Sequence, residues 1–306
     1  MYVRRGARIH RLLWAQRWAL LVLIVLAVGT ELLEPYVSSL ALFSMVYVGV
    51  FSTALSIFLV FRFNEAYERW WEARKLWGSL VNLSRDVARQ SLTLLPGAQR
   101  TESGARLVRR QIAFAHALRI HLRTGGTPAG QAEVRSLLTR LVPEEAATLG
   151  ESGNVPSALL VRQSDELATL LGDGVESRLL LMRFDENLGR LYDVQGGCER
   201  IKNTAFPDNV ALITRCLVWA LVLLLMFATI GPEGRDGPVD VLIVCLMAMG
   251  YLWIESLGND LKNPFENGPN DTPMTSICVT IERDLLEMLG ETELPDPVAP
   301  RDGVLM

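Results

Sequence analysis

The sequence predicts an all-α membrane protein: four membrane helices and a helical domain built from the middle and end of the chain. Three observations carry this. An uncharged run of 27 residues, Pro35 to Phe61, leads into the charged, Trp-rich stretch Arg62–Trp77, which contains no Pro or Gly. Two further apolar runs lie at 209–230 and 239–257. The middle of the chain shows helical periods separated by Pro and Gly clusters, with no alternating, strand-like segments.

The first membrane helix spans Leu12 to Leu33. Arg4, Arg5, Arg8, Arg11 and Arg17 precede or enter it, and another span follows at once, so it reads as an uncleaved helix rather than a secretory signal. Its strictly uncharged part, Trp18 to Thr30, has only 13 residues. Arg17 must therefore snorkel inward, and Glu31 lies near the outer surface. Glu31, Glu34 and Pro35 are expected to turn the chain into the second helix.

That second helix is about 40 Å long over its uncharged part, against roughly 30 Å of hydrocarbon. It should cross the bilayer and protrude. Ser52 and Ser56, with Gly49 close by, form a small-residue face of the kind that lets helices approach in lipid. Beside it run Thr53, Ile57 and Phe61, spaced by four. This second stripe faces a central axis if the small face packs on neighbours. Otherwise it is an ordinary lipid-facing or bundle-core stripe.

By the positive-inside rule the Arg-rich start and the segment after Phe61 lie on the same, cytoplasmic side. Helical patterns follow at about 65–95, 103–123, 131–141, 157–171 and 175–194, with Ser103 and Ser157 as expected caps. The third membrane helix runs from Asn209 to Ile230. Arg215 is its one charge, either snorkelling or contacting another subunit. After a short loop, Gly231 to Pro238, the fourth spans Val239 to Leu257, with Asp240 and Glu255 near its ends. One last helix, Ile277 to Leu289, precedes a Pro-rich tail expected to be mobile. The division is thus 1–62, basic segment and two membrane helices; 63–208, helical cytoplasmic domain; 209–258, two membrane helices; and 259–306, a cytoplasmic segment packing on that domain. The expected location is the inner cell membrane, multi-pass, with both termini cytoplasmic.

Charge and composition exclude several classes. A net charge of −4 gives no nucleic-acid footprint. Cys198, Cys216, Cys245 and Cys278 lack paired spacing, and His10, His116 and His121 lack metal-site spacing. There is no Gly-rich phosphate loop, no HExxH and no nucleophile elbow. Paired carboxylates such as Glu144-Glu145 and Asp185-Glu186 belong to solvated helix faces. No enzyme activity, cofactor or metal is expected.

The run Arg62-Phe63-Asn64-x-Ala66-Tyr67-x-Arg69-Trp70-Trp71-Glu72-Ala73-Arg74-x-Leu76-Trp77-Gly78 closely resembles the matching segment of prokaryotic bestrophin-like proteins. Gly196-Gly197-Cys198-Glu199-Arg200-Ile201 resembles them too, as does Asn263-Pro264-Phe265 with Asn270-Asp271 and Pro273. The resemblance spans nearly the whole chain. It implies a homopentameric channel passing monovalent ions through a central pore. The narrow neck would be lined by Thr53, Ile57 and Phe61, with Thr53 a departure from an all-apolar neck. Asn64, Arg69, Trp70, Trp71, Glu72 and Arg74 would form the junction of neck and cytoplasmic vestibule; without the resemblance, the tryptophans and arginines read as an interfacial belt. A second constriction would lie near the start of the helix from Val175. Leu179 is its candidate ring and Arg178 sits beside it, unless Arg178 is simply a surface residue.

Two stretches depart from the family. Eukaryotic bestrophins carry a dense acidic, calcium-binding cluster after Asn-Pro-Phe. Here only Glu266 and Asp271 are acidic between 266 and 271, too few for the six to eight oxygens Ca²⁺ prefers, so calcium gating is not expected. Thr204-Ala205-Phe206-Pro207 replaces a Thr-Pro-x-Pro turn. The sign of the permeant ion is not declared by an apolar neck. Two other functions remain open at this point: a non-conducting membrane-anchored scaffold, and an ion-coupled transporter, which usually shows internal repeats and broken helices.

Overall fold

The computed structural model describes residue 14 and residues 16–37, 45–97, 99–204, 208–228, 238–300 and 303–305. Among these, ten helices follow in order: α1 (Arg17–Val37), α2 (Met45–Thr93), α3 (Gln99–Thr124), α4 (Pro128–Leu141), α5 (Ala146–Gly150), α6 (Val155–Leu171), α7 (Val175–Asn203), α8 (Asp208–Ala228), α9 (Pro238–Leu261) and α10 (Met274–Met288). The Arg-rich start, the loop at 231–237 and the turn at 205–207 lie outside the described residues.

The helices group into two units. One comprises Arg5–Arg69 and Ala205–Lys262; the other holds Trp70–Thr204 and Asn263–Met306. The 49-residue helix α2 contributes to both.

In the apolar unit, Leu23 of α1, Leu55 and Leu59 of α2, Val218, Leu221 and Val222 of α8, and Ala248 and Leu252 of α9 share one buried core. Val46–Thr93, Asn209–Ala228 and Val241–Leu261 are long and apolar enough to cross a membrane; Arg17–Thr30 is a shorter apolar stretch. The outer faces stay apolar, with Val25, Val50, Leu212 and Leu246 exposed, a surface suited to hydrocarbon.

The first turn is not where the sequence predicts it. Helix α1 continues through Glu31, Glu34 and Pro35 to Val37, and α2 starts at Met45. Pro35 falls in the last turn of α1, and the helix ends two residues beyond it. The run after it, Ser38 to Ser44, contains no Gly, Pro, Asn or Asp to mark a turn. Apolarity reports the solvent, not where the chain reverses.

In the charged unit, α3 is wrapped by α4, α6 and α10. Its residues Leu107, Val108, Ile112 to Ala115, Ala117, Leu118, Ile120 and Leu122 are buried, and Arg110, Gln111 and His116 are buried among them. Trp77, Leu80 and Val87 of α2, Phe184 and Leu191 of α7, Phe265, and Ile281 and Leu285 of α10 close the same core. Helix α3 begins at Gln99, so Ser103 sits inside it, buried, rather than capping it. Nor does Ser157 cap α6: its backbone N–H donates to Asn154 Oδ1 at 3.1 Å, and Asn154 is the cap. The Asn side chain reaches the first-turn donor from just outside the helix, with Pro156 preset in the first turn. The tail's first residues carry contacts: Glu291 accepts from Arg109 at 2.8 Å, and the Pro295 carbonyl accepts from Arg283.

Two buried charge networks staple this unit. Arg110, 1% exposed, donates to Glu145 at 2.5 Å, Glu166 at 2.6 Å and the Gln163 side chain at 3.1 Å. Glu282 of α10, 3% exposed, accepts from His116 of α3 at 2.8 Å and from Arg140 of α4 at 2.5 Å. Burial raises the Glu282 carboxyl, but the bonds from His116 and Arg140 outweigh it and hold it at about 2. A depressed acid stabilises the fold above its ordinary value, and that contribution fades as pH falls toward the folded value. Glu282→Ala is expected to destabilise the protein by about 3–5 kcal/mol at neutral pH, because it leaves Arg140 and His116 facing an unpaired site. Thermal unfolding in detergent checks this. The gap between Glu282→Ala and the parent should close only as pH is lowered from about 4.5 toward about 2.

Candidate functional site

The lipid-depth segment of α2 divides into two faces. Val48, Leu55, Leu59 and Arg62 are buried, and Ser52 and Ser56 are half-buried beside them. This face packs on α9: the Ser56 hydroxyl and the Tyr251 hydroxyl share a hydrogen bond of 2.8 Å, and Tyr251 also reaches the Ser52 carbonyl at 3.4 Å. The small residues work as such faces do in lipid, admitting a close neighbour and a polar contact. Each hydroxyl also satisfies itself along the helix: Ser52 and Thr53 donate to the Gly49 carbonyl, and Ser56 donates to that of Ser52.

Thr53, Ile57 and Phe61 lie on the other face. Ile57 is 55% and Phe61 65% exposed, and Thr53 is exposed as well. This stripe is free to meet a lipid or another subunit.

Further along α2, Arg62 is buried behind the stripe. It approaches Glu255 of α9 at 3.8 Å, both side chains under 10% exposed, and among the described residues its guanidinium makes no hydrogen bond. Gly258, one turn on, lies near the Phe63 backbone. Contacts therefore advance together along both helices, from Ser56–Tyr251 to Arg62–Glu255 to Phe63–Gly258, so α2 and α9 run parallel.

The charged unit brings the three motif stretches together. Trp70 Nε1 donates to the Asn270 carbonyl at 2.7 Å. Arg200 donates to the Glu72 carboxylate. Leu76 lies against Gly197, where a Cβ would meet its methyls at 2.9 Å and push them aside, so α2 and α7 approach closely there. Lys202 approaches Glu266 at 3.9 Å. Trp70 and Trp71 stack at 6.2 Å, with Trp71 46% exposed. Arg74 is half-buried and Asn64, in the apolar unit, is exposed. Arg69 is half-buried there too.

The loop after Asn263-Pro264-Phe265 folds around Asp271. Its carboxylate accepts the Gly268 N–H at 2.8 Å, and the Thr272 N–H bonds the Pro264 carbonyl at 3.0 Å. Asn267 takes a positive φ of 72°, which Asn tolerates better than most residues. Burial pushes the Asp271 carboxyl up, against the downward pull of the Gly268, Glu266 and Asn267 backbone N–H groups. Glu266 is engaged as well, accepting from Asn263 at 3.1 Å. Among the described residues no group of three or more His, Cys, Asp or Glu is arranged to hold a metal ion. Cys198 and Cys278 are buried thiols pushed up to about 12 by burial, which makes them inert packing groups.

On α7, Val175, Leu179 and Met182 form an exposed apolar stripe, with Leu179 61% exposed and Arg178 exposed next to it. Phe184, Leu188 and Leu191 hold the inner face of the same helix in the core. The charged unit thus presents Leu179 outward.

Sequence reasoning missed Tyr251 and Glu255, the partners of Ser56 and Arg62. Their spacing of four on an apolar helix was the available signal: two polar groups on one face imply polar partners opposite.

The chain matches the family model described as Bacterial/Fungal Bestrophin protein over residues 2–287. It is 33% identical over 282 residues to the voltage-dependent anion channel-forming protein YneE of Escherichia coli K12, covering 92% of this chain and 89% of that protein. A voltage-dependent anion channel-forming protein of Mesorhizobium japonicum is 32% identical over 258 residues, 82% of this chain and 77% of that one. The crystal structure of a bacterial bestrophin homologue from Klebsiella pneumoniae superposes with a TM-score of 0.78 at 28% identity, over 90% of this chain and 99% of that one.

Proposed function

Since this chain belongs to the bacterial and fungal bestrophin family, we propose that it is a multi-pass membrane channel conducting small monovalent ions passively through a central pore. The observation that carries this reading is the exposed Thr53, Ile57 and Phe61 stripe on a helix whose opposite side meets α9 through Ser56 and Arg62. Five copies of α2 around an axis would turn the stripe into three stacked rings spanning roughly 12 Å. Ile57 and Phe61 obstruct ions by dewetting where the bore is narrow, and Thr53 eases hydration at the outer ring.

Four crossings and cytoplasmic termini complete the proposal. Parallel α2 and α9 are what that topology requires, since α8 must return the chain between them. The Arg-rich flanks place the charged unit inside. In this assembly Leu179 and Arg178 of α7 form the exit constriction, and Trp70, Trp71, Glu72 and Arg74, with Asn64 and Arg69, join neck to vestibule. Calcium plays no gating role in this reading, because Glu266 and Asp271 are the only acids between 266 and 271, too few for the six to eight oxygens Ca²⁺ takes.

The relatives' names put anions first, and a ring of Arg178 at the exit favours the same sign. Purified protein in bilayers under a NaCl gradient should reverse near the chloride potential, and micromolar Ca²⁺ should leave the current unchanged. Arg178→Glu should move the reversal toward sodium; an unmoved value places Arg178 off the conduction path. Absence of current would favour a scaffold, and gradient-coupled flux without channel steps a transporter. Ile57→Ala and Phe61→Ala should raise conductance or open probability in assembled protein, while Ser52→Ala should alter assembly or melting more than current. Unchanged currents in both neck variants would assign the pore to another face. Cysteines placed at Asp173 and Gly234 should react with impermeant thiol reagents from opposite sides; labelling from one side would overturn the four-crossing topology.

A further inference from the structure

A cleft of about 390 Å³ opens in the charged unit where the end of α3, the start of α4, the end of α5 and the start of α6 meet. That volume is within the range of small-molecule sites. Its lining is mixed: Val134 and Val155 keep a narrow exposed edge, Ala117 and Ile120 lie beneath them, and His121, Gln131 and Ser152 add polar groups. Its rim carries one cation and one anion, Arg135 and Glu151.

Those two charges are the exceptions in their neighbourhood. Glu133 and Arg140, the other charged residues of α4, pair with Arg119 and Glu282. His121 at the same cleft pairs with Glu199, which also accepts from Asn154 and Gln195. The side chains of Arg135 and Glu151 make no hydrogen bond or ion pair with any described residue, nor with each other. The Arg135 stem lies along Gly150, so the side chain follows the cleft wall.

Two glycines keep the mouth bare. At Gly126 and Gly153 a Cβ would meet nothing within 4 Å, and neither has the positive φ that would require Gly. Side chains there would occupy the opening.

We propose that this cleft binds a small zwitterion of the α-amino-acid type. Arg135 receives the carboxylate, Glu151 receives the ammonium, and the side chain rests at the edge of Val134 and Val155. Two unspent charges of opposite sign match a ligand that carries both signs. The proposal stands apart from conduction, because binding is read on the protein without current.

Titration calorimetry on the full chain in detergent, with L-leucine as the probe, tests it. Leucine should saturate one site per chain. Arg135→Gln and Glu151→Gln should each weaken binding at least about tenfold, the loss expected for one charge-assisted contact. Isoamylamine, which lacks the carboxylate, and 4-methylpentanoate, which lacks the ammonium, should bind at least about tenfold more weakly than leucine. Both residues lie at the surface without partners, so neither variant threatens the fold. Absence of saturation at millimolar leucine, parent-like affinity in both variants, or equal affinity for 4-methylpentanoate would each overturn the proposal.

Discussion

Helix α2 must satisfy two solvents along its 49 residues, and each unit answers that requirement on its own stretch of the helix. In hydrocarbon every polar group needs an internal partner. The hydroxyls of Ser52, Thr53 and Ser56 meet this by bonding back to Gly49 and Ser52 carbonyls one turn earlier. Beyond Arg69 the same helix becomes the wall of a water-side core, burying Ala73, Trp77, Leu80 and Val87 completely. No Gly or Pro falls between Gly49 and Gly78, so nothing in the backbone invites a kink where the environment changes.

Charge burial is handled differently in the two units. Arg110 and Glu282 in the charged unit are saturated: each has at least two opposite or hydrogen-bonding partners within 3.1 Å. Among the described residues, Arg62 in the apolar unit has one acid at 3.8 Å and no hydrogen bond. A buried pair contributes stability only when its remaining donors are met. The first two are structural staples; Arg62 is buried with its donors unmet by the described residues. Because it points into the α9 face rather than the open stripe, it leaves the rings of the proposed neck apolar.

Much of the fold was legible before any coordinates. Hydropathy located the apolar helices, and Pro and Gly clusters located the breaks before α4, α6 and α7. The family motifs were legible as a set, and their meeting explains why: Trp70 bonds Asn270, Glu72 meets Arg200, and Leu76 rests on Gly197. The misses have two causes. Asn154 rather than Ser157 caps α6 and α3 starts before Ser103, choices worth a few tenths to about one kcal/mol of local preference, which tertiary packing overrides. Helix α1 runs past Pro35, a residue that costs about 3 kcal/mol in a helix interior, but it ends two residues later. The cleft between α3, α4, α5 and α6 was invisible for another reason. Its glycines read simply as breaks, and only the fold shows that two of them face open space.

The stripe of Thr53, Ile57 and Phe61 marks the limit of reading a channel from one chain. In water, exposed Ile and Phe at 55% and 65% would demand a partner. In lipid they demand nothing, because hydrocarbon tails are as apolar as the side chains. Exposure alone therefore does not separate a lipid face from an axis face. What separates them is the opposite face: Ser52, Ser56, Leu59 and Arg62 are committed to α9, and a helix with one face committed has only the remaining arc to offer a pore. Thr53 is neutral in that choice, since its hydroxyl is already bonded to Gly49 and sits as comfortably against water as against a tail. The burden falls on Ile57 and Phe61, whose truncation wets an axis but changes little against lipid.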